Sequence, residues 1–363
     1  MTAISLRSVV KQFGDVTAVD HLDLDLAEGE LIAFLGPSGC GKTTTLRMIA
    51  GFEMPTAGQI WLGEEDVTWL SAEKRNCGMV FQNYALFPHL TVYRNIAFGL
   101  EMRRVPRNEI ARRVRSVLEK VQLHGLEERY PRQLSGGQQQ RTALARALVI
   151  NPNVLLLDEP LANLDAKLRE EMRFYIRTLQ QEFGITTIYV THDQSEALVL
   201  ADRVAVMMGG MLQQIGTPED LYRRPETAKV ADFVGLVNLI PVRMKERCGA
   251  AIACESTLGP LEGRGPDGPG AEAEGWLSVR PENLHLSGTD GAAASGTDGT
   301  VNQMRGVVRE RAYLGSLIDY RVEVGPALTL RIQGGAEAPY HAGDAVAVGF
   351  ASADAWFVPS EEG

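Results

Sequence analysis

The stretch LIAFLGPSGCGKTTTLRMIAG, residues 31–51, decides the fold. LIAFLG (31–36) is a short continuous apolar run, as expected of a strand buried on both faces of a parallel sheet. TTTLRMIAG (43–51) opens a helical stretch, and GPSGCGKTT (36–44) lies between strand and helix. It fits G-x-x-x-x-G-K-[ST] at Gly36, Gly41, Lys42 and Thr43, in the strand-then-helix context that the motif requires. Glycines let the backbone wrap close to phosphate oxygens, and successive N–H groups then point inward as an anion nest. Lys42 adds positive charge near the β and γ phosphates, the Thr43 hydroxyl suits Mg²⁺, and the helix start presents its positive dipole end. The candidate nucleotide-binding set is therefore Gly36, Pro37, Ser38, Gly39, Cys40, Gly41, Lys42, Thr43 and Thr44. A G-x-G-x-x-G reading of the same glycines fails because the third glycine is missing. Cys40 reads as a small residue tolerated in the loop rather than as a reactive thiol.

Outward from this loop, NVLLLDE (153–159), TTIYVTHD (186–193) and RVAVMM (203–208) are further apolar runs of buried-strand type. Helical patterns separate them; in Arg107–Val121, Ile110, Val114, Val117, Leu118 and Val121 recur at helical spacing. Strands alternating with helices imply crossovers and an α/β layer architecture. HLDLDLAEG (21–29) instead alternates apolar and charged residues, as a half-exposed antiparallel strand does. After residue 240 the segments become short and β-like: GWLSVRP (275–281), MRGVVRERAYLGS (304–316), LIDYRVEVG (317–325), ALTLRIQ (327–333) and AVAVGFASADAWFV (345–358). These suggest a small barrel or sandwich. Two low-complexity stretches, 259–275 and 287–300, have little apolar surface to bury and are expected to be mobile loops.

The 363 residues suggest two or three domains at about 150 residues each, and 45% hydrophobic content suffices for real cores. No apolar run reaches the roughly 18–20 residues of a membrane helix, and the N-terminus lacks a signal-peptide pattern. With 36 basic and 46 acidic side chains the net charge is −10, unfavourable for binding nucleic acid. The four cysteines form no CxxC pair, which fits a reduced cytoplasm.

VLLLDEP (154–160) ends a buried strand in two adjacent carboxylates. Asp158 is placed to hold Mg²⁺, and Glu159 to polarise the attacking water as general base. Alone, such a pair could equally cap the next helix; the phosphate loop on a neighbouring strand favours catalysis. His192, at the end of the VTHD strand, points at the same crevice, where its expected task is to hold the γ-phosphate and water in line.

LSGGQ at 134–138 lies between the phosphate loop and this carboxylate pair, just before the helical stretch QQQRTALARAL. With these residues the chain resembles the ATP-binding subunits of ABC transporters, over residues 1 to about 235. A hydroxyl and two glycines at a helix N-terminus form a second phosphate-recognising element. The resemblance implies that two chains sandwich two ATP molecules head to tail, with Ser135, Gly136, Gly137 and Gln138 reading the nucleotide of the other subunit. It further implies that Phe13 of KQFG stacks on adenine and that Gln82 of VFQNYALFPH senses Mg²⁺ and water beside the membrane-subunit contact. Asp165 of LANLD would lie at the dimer seam, and His192 would be the switch histidine. Ala162 stands where the family pattern has serine, which puts one cross-subunit hydrogen bond in doubt.

TPEDLYRRPETAKVADFVG (217–235) and VRPENLHL (279–286) resemble the linker and TOBE barrel of importer ATPases. The expected architecture is therefore an α/β P-loop NTPase cassette over 1–235, with a mixed sheet core, an antiparallel β subdomain and a helical subdomain. A small all-β, OB-like TOBE barrel would occupy 236–363. The implied function is an ATP-hydrolysing importer subunit, a homodimer using ATP and Mg²⁺. It would act peripherally at the cytoplasmic face of the inner membrane with permease subunits and, indirectly, a substrate-binding protein. YLGSLIDYRVEVG most resembles the ferric-iron and polyamine branches, which implies one of these as cargo, with sugar or phosphonate as alternatives. A soluble ABC ATPase of repair or translation is disfavoured by the single cassette and the lack of a CxxC insertion.

The basic run from Arg103 to Arg115 reads as a solvated helix face because Glu101, Glu109 and Glu119 intersperse it. Tyr84, Leu86, Phe87, Pro88 and Tyr93, following Gln82, are as well suited to packing a core; it is the resemblance that implies an exposed groove here for an amphipathic permease helix.

Overall fold

The computed structural model describes residues 2–267, 272–288, 301–326, 328–336 and 339–360. The chain divides into two compact units, Met1–Pro218 and Glu219–Gly363.

In the first unit, β1 (Ile4–Phe13) and β2 (Val16–Leu26) form an antiparallel hairpin. Leu22, Leu24 and Leu26 are buried while Asp23 and Asp25 are exposed, as the alternation of β2 requires. β3 (Leu31–Leu35) leads into α1 (Lys42–Ala50). β4 (Ala57–Leu62) and β5 (Glu65–Asp66) then complete a four-stranded sheet of order β2-β1-β4-β5. β6 (Cys77–Val80) precedes three helices, α2 (Val92–Met102), α3 (Arg107–Lys120) and α4 (Gly136–Leu148). The expected apolar stripe of α3 packs inward with Ile96, Leu100, Leu144 and Leu148. On its outer side Glu109 accepts from both Arg112 and Arg113, as a solvated, self-paired face does.

β7 (Val154–Asp158), α5 (Ala166–Phe183), β8 (Thr186–Thr191), α6 (Gln194–Leu200), β9 (Arg203–Met208) and β10 (Met211–Gly216) complete the unit. The main sheet has the order β10-β9-β3-β8-β7-β6. All its pairs are parallel except β9 with β10. Every residue of β3, β7 and β8 is buried, which is why these strands read as unbroken apolar runs.

Arg75 fastens α1 to the turn that follows β5. It is 1% exposed, and its guanidinium donates to the carbonyls of Met48, Ile49, Thr68 and Leu70 at 2.6–3.1 Å. Two of these carbonyls belong to the last turn of α1, where a cation also complements the helix dipole.

The second unit begins around α7 (Pro218–Arg223) and α8 (Ala228–Phe233). β11 (Asn238–Cys248), β12 (Ala251–Ser256), β13 (Gly259–Arg264) and β14 (Glu274–Val279) follow. Next come β15 (His285–Gly288), β16 (Val301–Tyr313), β17 (Leu317–Gly325), β18 (Leu328–Gly335), β19 (Ala345–Ala351) and β20 (Ala355–Pro359). β11-β12-β13-β20-β14 close into a barrel, and β15-β19-β16-β17-β18 form a five-stranded sheet. One apolar cluster serves both.

Two expectations are corrected here. The stretch 259–275 is not a continuous loop: Gly259–Arg264 is a barrel strand paired with β12, and β14 starts at Glu274. Composition hid the strand because only Leu261 is large and apolar, yet Leu261 and Gly263 alternate inward and are buried. Of the stretch 287–300, Ser287 and Gly288 end β15, and 289–300 lie outside the described residues. The run 345–358 also proves to be two strands in different sheets, separated by a 3₁₀ turn at Ser352–Asp354.

Replacing Arg75 by leucine leaves buried carbonyls without donors, so unfolding of the first unit should shift by about 2–4 kcal/mol. Urea denaturation followed by circular dichroism checks this, and an unchanged midpoint would refute the role given to the guanidinium. Burial pushes the Cys77 thiol up to about 12 and the Cys254 thiol up to about 11. Cys40 is 2% exposed and Cys248 is exposed. Iodoacetamide at pH 8 should therefore alkylate Cys248 first in the folded protein, as peptide mass spectrometry can read.

Candidate active site

The phosphate loop lies flat because two glycines leave no room for a side chain. A Cβ on Gly36 would stand 2.2 Å from the Met207 carbonyl oxygen and 2.6 Å from Cys40 Sγ. Gly41 has φ +102°, and a Cβ there would stand 2.4 Å from the Ala18 carbonyl oxygen. Pro37, Ser38 and Gly39 are exposed at the tip, while Cys40, Gly41 and Lys42 are buried. Lys42 Nζ donates to the carbonyls of Gly36 at 2.7 Å and Pro37 at 2.9 Å, so the charge arches back over the loop. Thr45 N is the first amide of α1 to find a helical carbonyl, that of Gly41. The amides of Lys42, Thr43 and Thr44 before it belong to the helix start, where donors face an incoming anion.

Facing α1, β7 ends in Asp158, whose Oδ1 accepts from Thr43 Oγ1 at 3.0 Å. Burial pushes the Asp158 carboxyl up, opposed by the Thr43 bond and the nearby Arg47 charge. The next residue, Glu159, has φ +44°, an uncommon backbone for a side-chain-bearing residue, and one that clusters at functional sites. Its N–H donates to the Val190 carbonyl at 3.0 Å, which locks the turn to β8. The carboxylate is met from two sides. Gln82 Nε2 donates to Oε2 at 3.1 Å, and His192 Nδ1 lies 3.2 Å from Oε1. Gln82, Glu159 and His192, far apart in sequence, thus converge on one carboxylate. The Gln82 amide nitrogen is used there, which leaves Oε1 as an acceptor. Thr43 Oγ1, the Asp158 carboxylate and Gln82 Oε1 are all hard oxygen donors, the set that suits Mg²⁺.

The LSGGQ segment forms a capping box at the start of α4. Ser135 Oγ accepts from Gln138 N at 3.3 Å, and Ser135 N donates to Gln138 Oε1 at 3.0 Å. Cβ atoms on Gly136 and Gly137 would reach Leu164 at 3.0 Å and Leu168 at 3.2 Å, so the pair packs against the start of α5. Asp165 caps that helix by accepting from Leu168 N at 3.0 Å. Among the described residues no hydrogen bond or ion pair joins residues 135–138 to residues 36–44. Phe13 is 47% exposed at the end of β1, with Lys11 Nζ 4.6 Å from its ring centroid.

Three residues not among the expected site residues hold the Gln82 segment. Asn163 Nδ2 donates to the Gln82 carbonyl at 2.7 Å. Arg146 donates to the carbonyls of Tyr84 and Ala85, whose backbones are left-handed. The buried Asn95 amide donates to the carbonyls of Phe87, Leu90 and Thr91 and accepts from Phe87 N. The left-handed pair at Tyr84 and Ala85 gave no sequence signal, since neither residue is glycine or asparagine. Tyr84 is buried, Leu86, Phe87 and Tyr93 are half-buried, and Pro88 is exposed.

Residues 19–162 match the family model for the ABC transporter, and residues 277–358 match the TOBE domain. The spermidine/putrescine import ATP-binding protein PotA of Acidothermus cellulolyticus is 50% identical over 333 residues, 89% of this chain and 84% of that protein. The Fe(3+) ions import ATP-binding protein FbpC of Escherichia coli K12 is 46% identical over 320 residues, 88% and 87% of the two chains. Among solved structures, the dimeric ATP-binding cassette MJ0796 bound to ADP and Pi matches with TM-score 0.53 and 31% identity. That match covers 59% of this chain and 98% of the cassette. The mixed sheet with its antiparallel and helical subdomains is thus the ABC cassette fold, and an all-β TOBE domain follows it. With half of its residues shared across most of its length, the chain belongs to the import ATP-binding subunits of ABC transporters, a family of ATPases.

Proposed function

We infer that this chain hydrolyses MgATP as one of two identical subunits, and that opening and closing of the pair drives a membrane permease. The observation that carries this reading is the convergence of Gln82 and His192 on Glu159, one residue beyond the Asp158–Thr43 pair. Bound Mg²⁺, held by Thr43, Asp158 and Gln82, would offset the negative charge of the β and γ phosphates. Lys42 and the first amides of α1 hold the phosphates, and Phe13 stacks on the base. Glu159 accepts the proton of the attacking water, while His192 and Gln82 fix the direction of its carboxylate. The partner subunit's Ser135 and Gly137 would contact the γ-phosphate, and Asp165 would face the seam. Closure follows ATP because only ATP offers a γ-phosphate to both subunits, and a ligand shifts an equilibrium solely by differential affinity. A dimeric state of the similar cassette MJ0796 supports this arrangement.

Residues 1–235 form the ATPase module and 236–363 the accessory module in this reading. Among the described residues no helix is long and apolar enough to cross a membrane. Membrane work then passes through permease subunits docking at the Gln82–Tyr93 segment, on the cytoplasmic face of the inner membrane. The cargo is polyamine or ferric ion, as named for relatives 46–50% identical to this chain, delivered by a substrate-binding protein. Reconstituted with its permease, the subunit should raise its ATP turnover with spermidine-loaded or Fe³⁺-loaded binding protein. Stimulation by a sugar-loaded binding protein instead would overturn this cargo.

Glu159→Gln should keep ATP binding, form an ATP-stabilised dimer in light scattering, and lose turnover by about 10²–10⁴-fold. Normal hydrolysis in that variant would remove Glu159 from the role of base. Gly36→Ala should abolish ATP binding in a filter assay while leaving the circular dichroism spectrum intact, because its Cβ collides with a backbone carbonyl.

A further inference from the structure

The chain carries a net charge of −10, yet residues 101–120 hold seven arginine and lysine side chains against three glutamates. This run covers the end of α2, the turn after it and α3. Glu109 accounts for two of the cations, Arg112 and Arg113. Lys120 Nζ lies over the Phe183 ring, 4.1 Å from its centroid. Arg103 reaches only the Ile150 carbonyl, at 3.4 Å. Among the described residues Arg104, Arg107 and Arg115 have no side-chain hydrogen bond or ion pair, and all three are exposed. The packing behind them supplies no acid either: α4, which lies against both helices, carries Arg141 and Arg146 and no carboxylate. With Glu101 and Glu119 counted, four guanidinium groups stand against two carboxylates. The excess lies at the turn, where Arg103, Arg104 and Arg107 have only Glu101 beside them in sequence.

Two features of this turn work against its own local structure. Arg104 has φ +56°, a left-handed backbone for which glycine or asparagine is the ordinary choice. Arg107 opens α3, where the helix dipole favours an anion over a cation. Beside them Met102 is 69% exposed, and Pro106 is exposed as well. An apolar tip among guanidinium groups has the composition of an interfacial anchor: the apolar chain enters the headgroup boundary while the cations stay at the phosphates. Along α3, Arg107, Ala111 and Arg115 succeed one another at intervals of four residues and are all exposed, which prolongs the cationic surface.

We propose that the turn between α2 and α3, with Met102, Arg103, Arg104 and Arg107, rests on an anionic phospholipid surface. An acidic protein surface would meet the arginines but give Met102 no hydrocarbon to enter. The negative charge of the whole chain does not prevent this contact, because charges beyond a Debye length of about 8 Å are largely screened at physiological salt. The inference rests on the proposed function only for the nearness of a membrane. α2 starts within the segment given to permease docking and, at about 1.5 Å per residue, sets the turn roughly 15 Å from it, so lipid beside the permease is within reach.

The test sediments the full-length protein, without permease, on vesicles of phosphatidylcholine containing about 30% phosphatidylglycerol. Binding is expected at about 0.1 M salt, weaker by about tenfold or more on pure phosphatidylcholine, and lost at about 0.5 M salt. Joint replacement by Arg103→Gln, Arg104→Gln and Arg107→Gln should weaken it about hundredfold, or about fivefold for each cation lost. Met102→Ser should weaken it about fivefold with the salt dependence unchanged, the mark of an apolar contact. Both variants should retain basal ATP turnover, since these residues lie outside the catalytic set. No binding, equal binding to both kinds of vesicle, or full binding by the triple variant would overturn the proposal. So would a triple variant that still binds vesicles but no longer assembles with its permease, which would mark an acidic protein contact instead. Absent vesicle binding with intact ATP turnover sinks the lipid contact alone, whereas absent turnover with intact vesicle binding sinks the ATPase reading alone.

Discussion

Parallel strands that end level with one another are the constraint on which the rest of the structure depends. Leu35 lies opposite Thr191, Val190 opposite Asp158, and Leu157 opposite Val80. The residues that follow those ends are Gly36, His192, Glu159 and, two further on, Gln82. A register slip of one residue in any of these pairs would turn side chains to the opposite face and part the carboxylate from its donors. Burial of β3, β7 and β8 on both faces makes such a slip costly, so the hydrophobic core sets the positions of Asp158, Glu159 and His192.

The cassette was largely legible in the sequence because its signals are local. A glycine loop, an apolar run ending in two carboxylates and a histidine at a strand end each announce a position without any knowledge of strand order. That these pieces share one crevice was expected; that Gln82 and His192 meet the Glu159 carboxylate itself was not. Asn163, Arg146 and Asn95 act on backbone carbonyls, and no residue pattern marks a carbonyl that needs a donor. The barrel was harder to read. β13 is written in glycine, proline and charged residues, and a strand with one large inward side chain is invisible to hydrophobic periodicity. Closure of the barrel depends on β13 pairing with β20 at Arg264 and Trp356, far apart in sequence, which composition cannot show.

Both units use the same device to join a helix to a β layer. Arg75 in the first and Arg280 in the second bury a guanidinium against backbone carbonyls rather than against a carboxylate. Burial pushes both pKa values down, yet arginine stays charged because its starting value is so high. Lysine in these places would offer fewer donors and would lose its proton more readily on burial. The planar fork therefore ties several carbonyls at once without bringing a second buried charge.

The capping box of LSGGQ carries one consequence for how a phosphate is met. A serine hydroxyl has one proton to give and lone pairs to receive. At Ser135 the amide of Gln138 already takes a lone pair, which leaves the hydroxyl proton free to be donated elsewhere. The hydroxyl thus receives on the helix side and keeps its proton to give. Under the proposed function, helix capping and anion recognition, usually counted as separate duties, would be two ends of a single hydroxyl dipole.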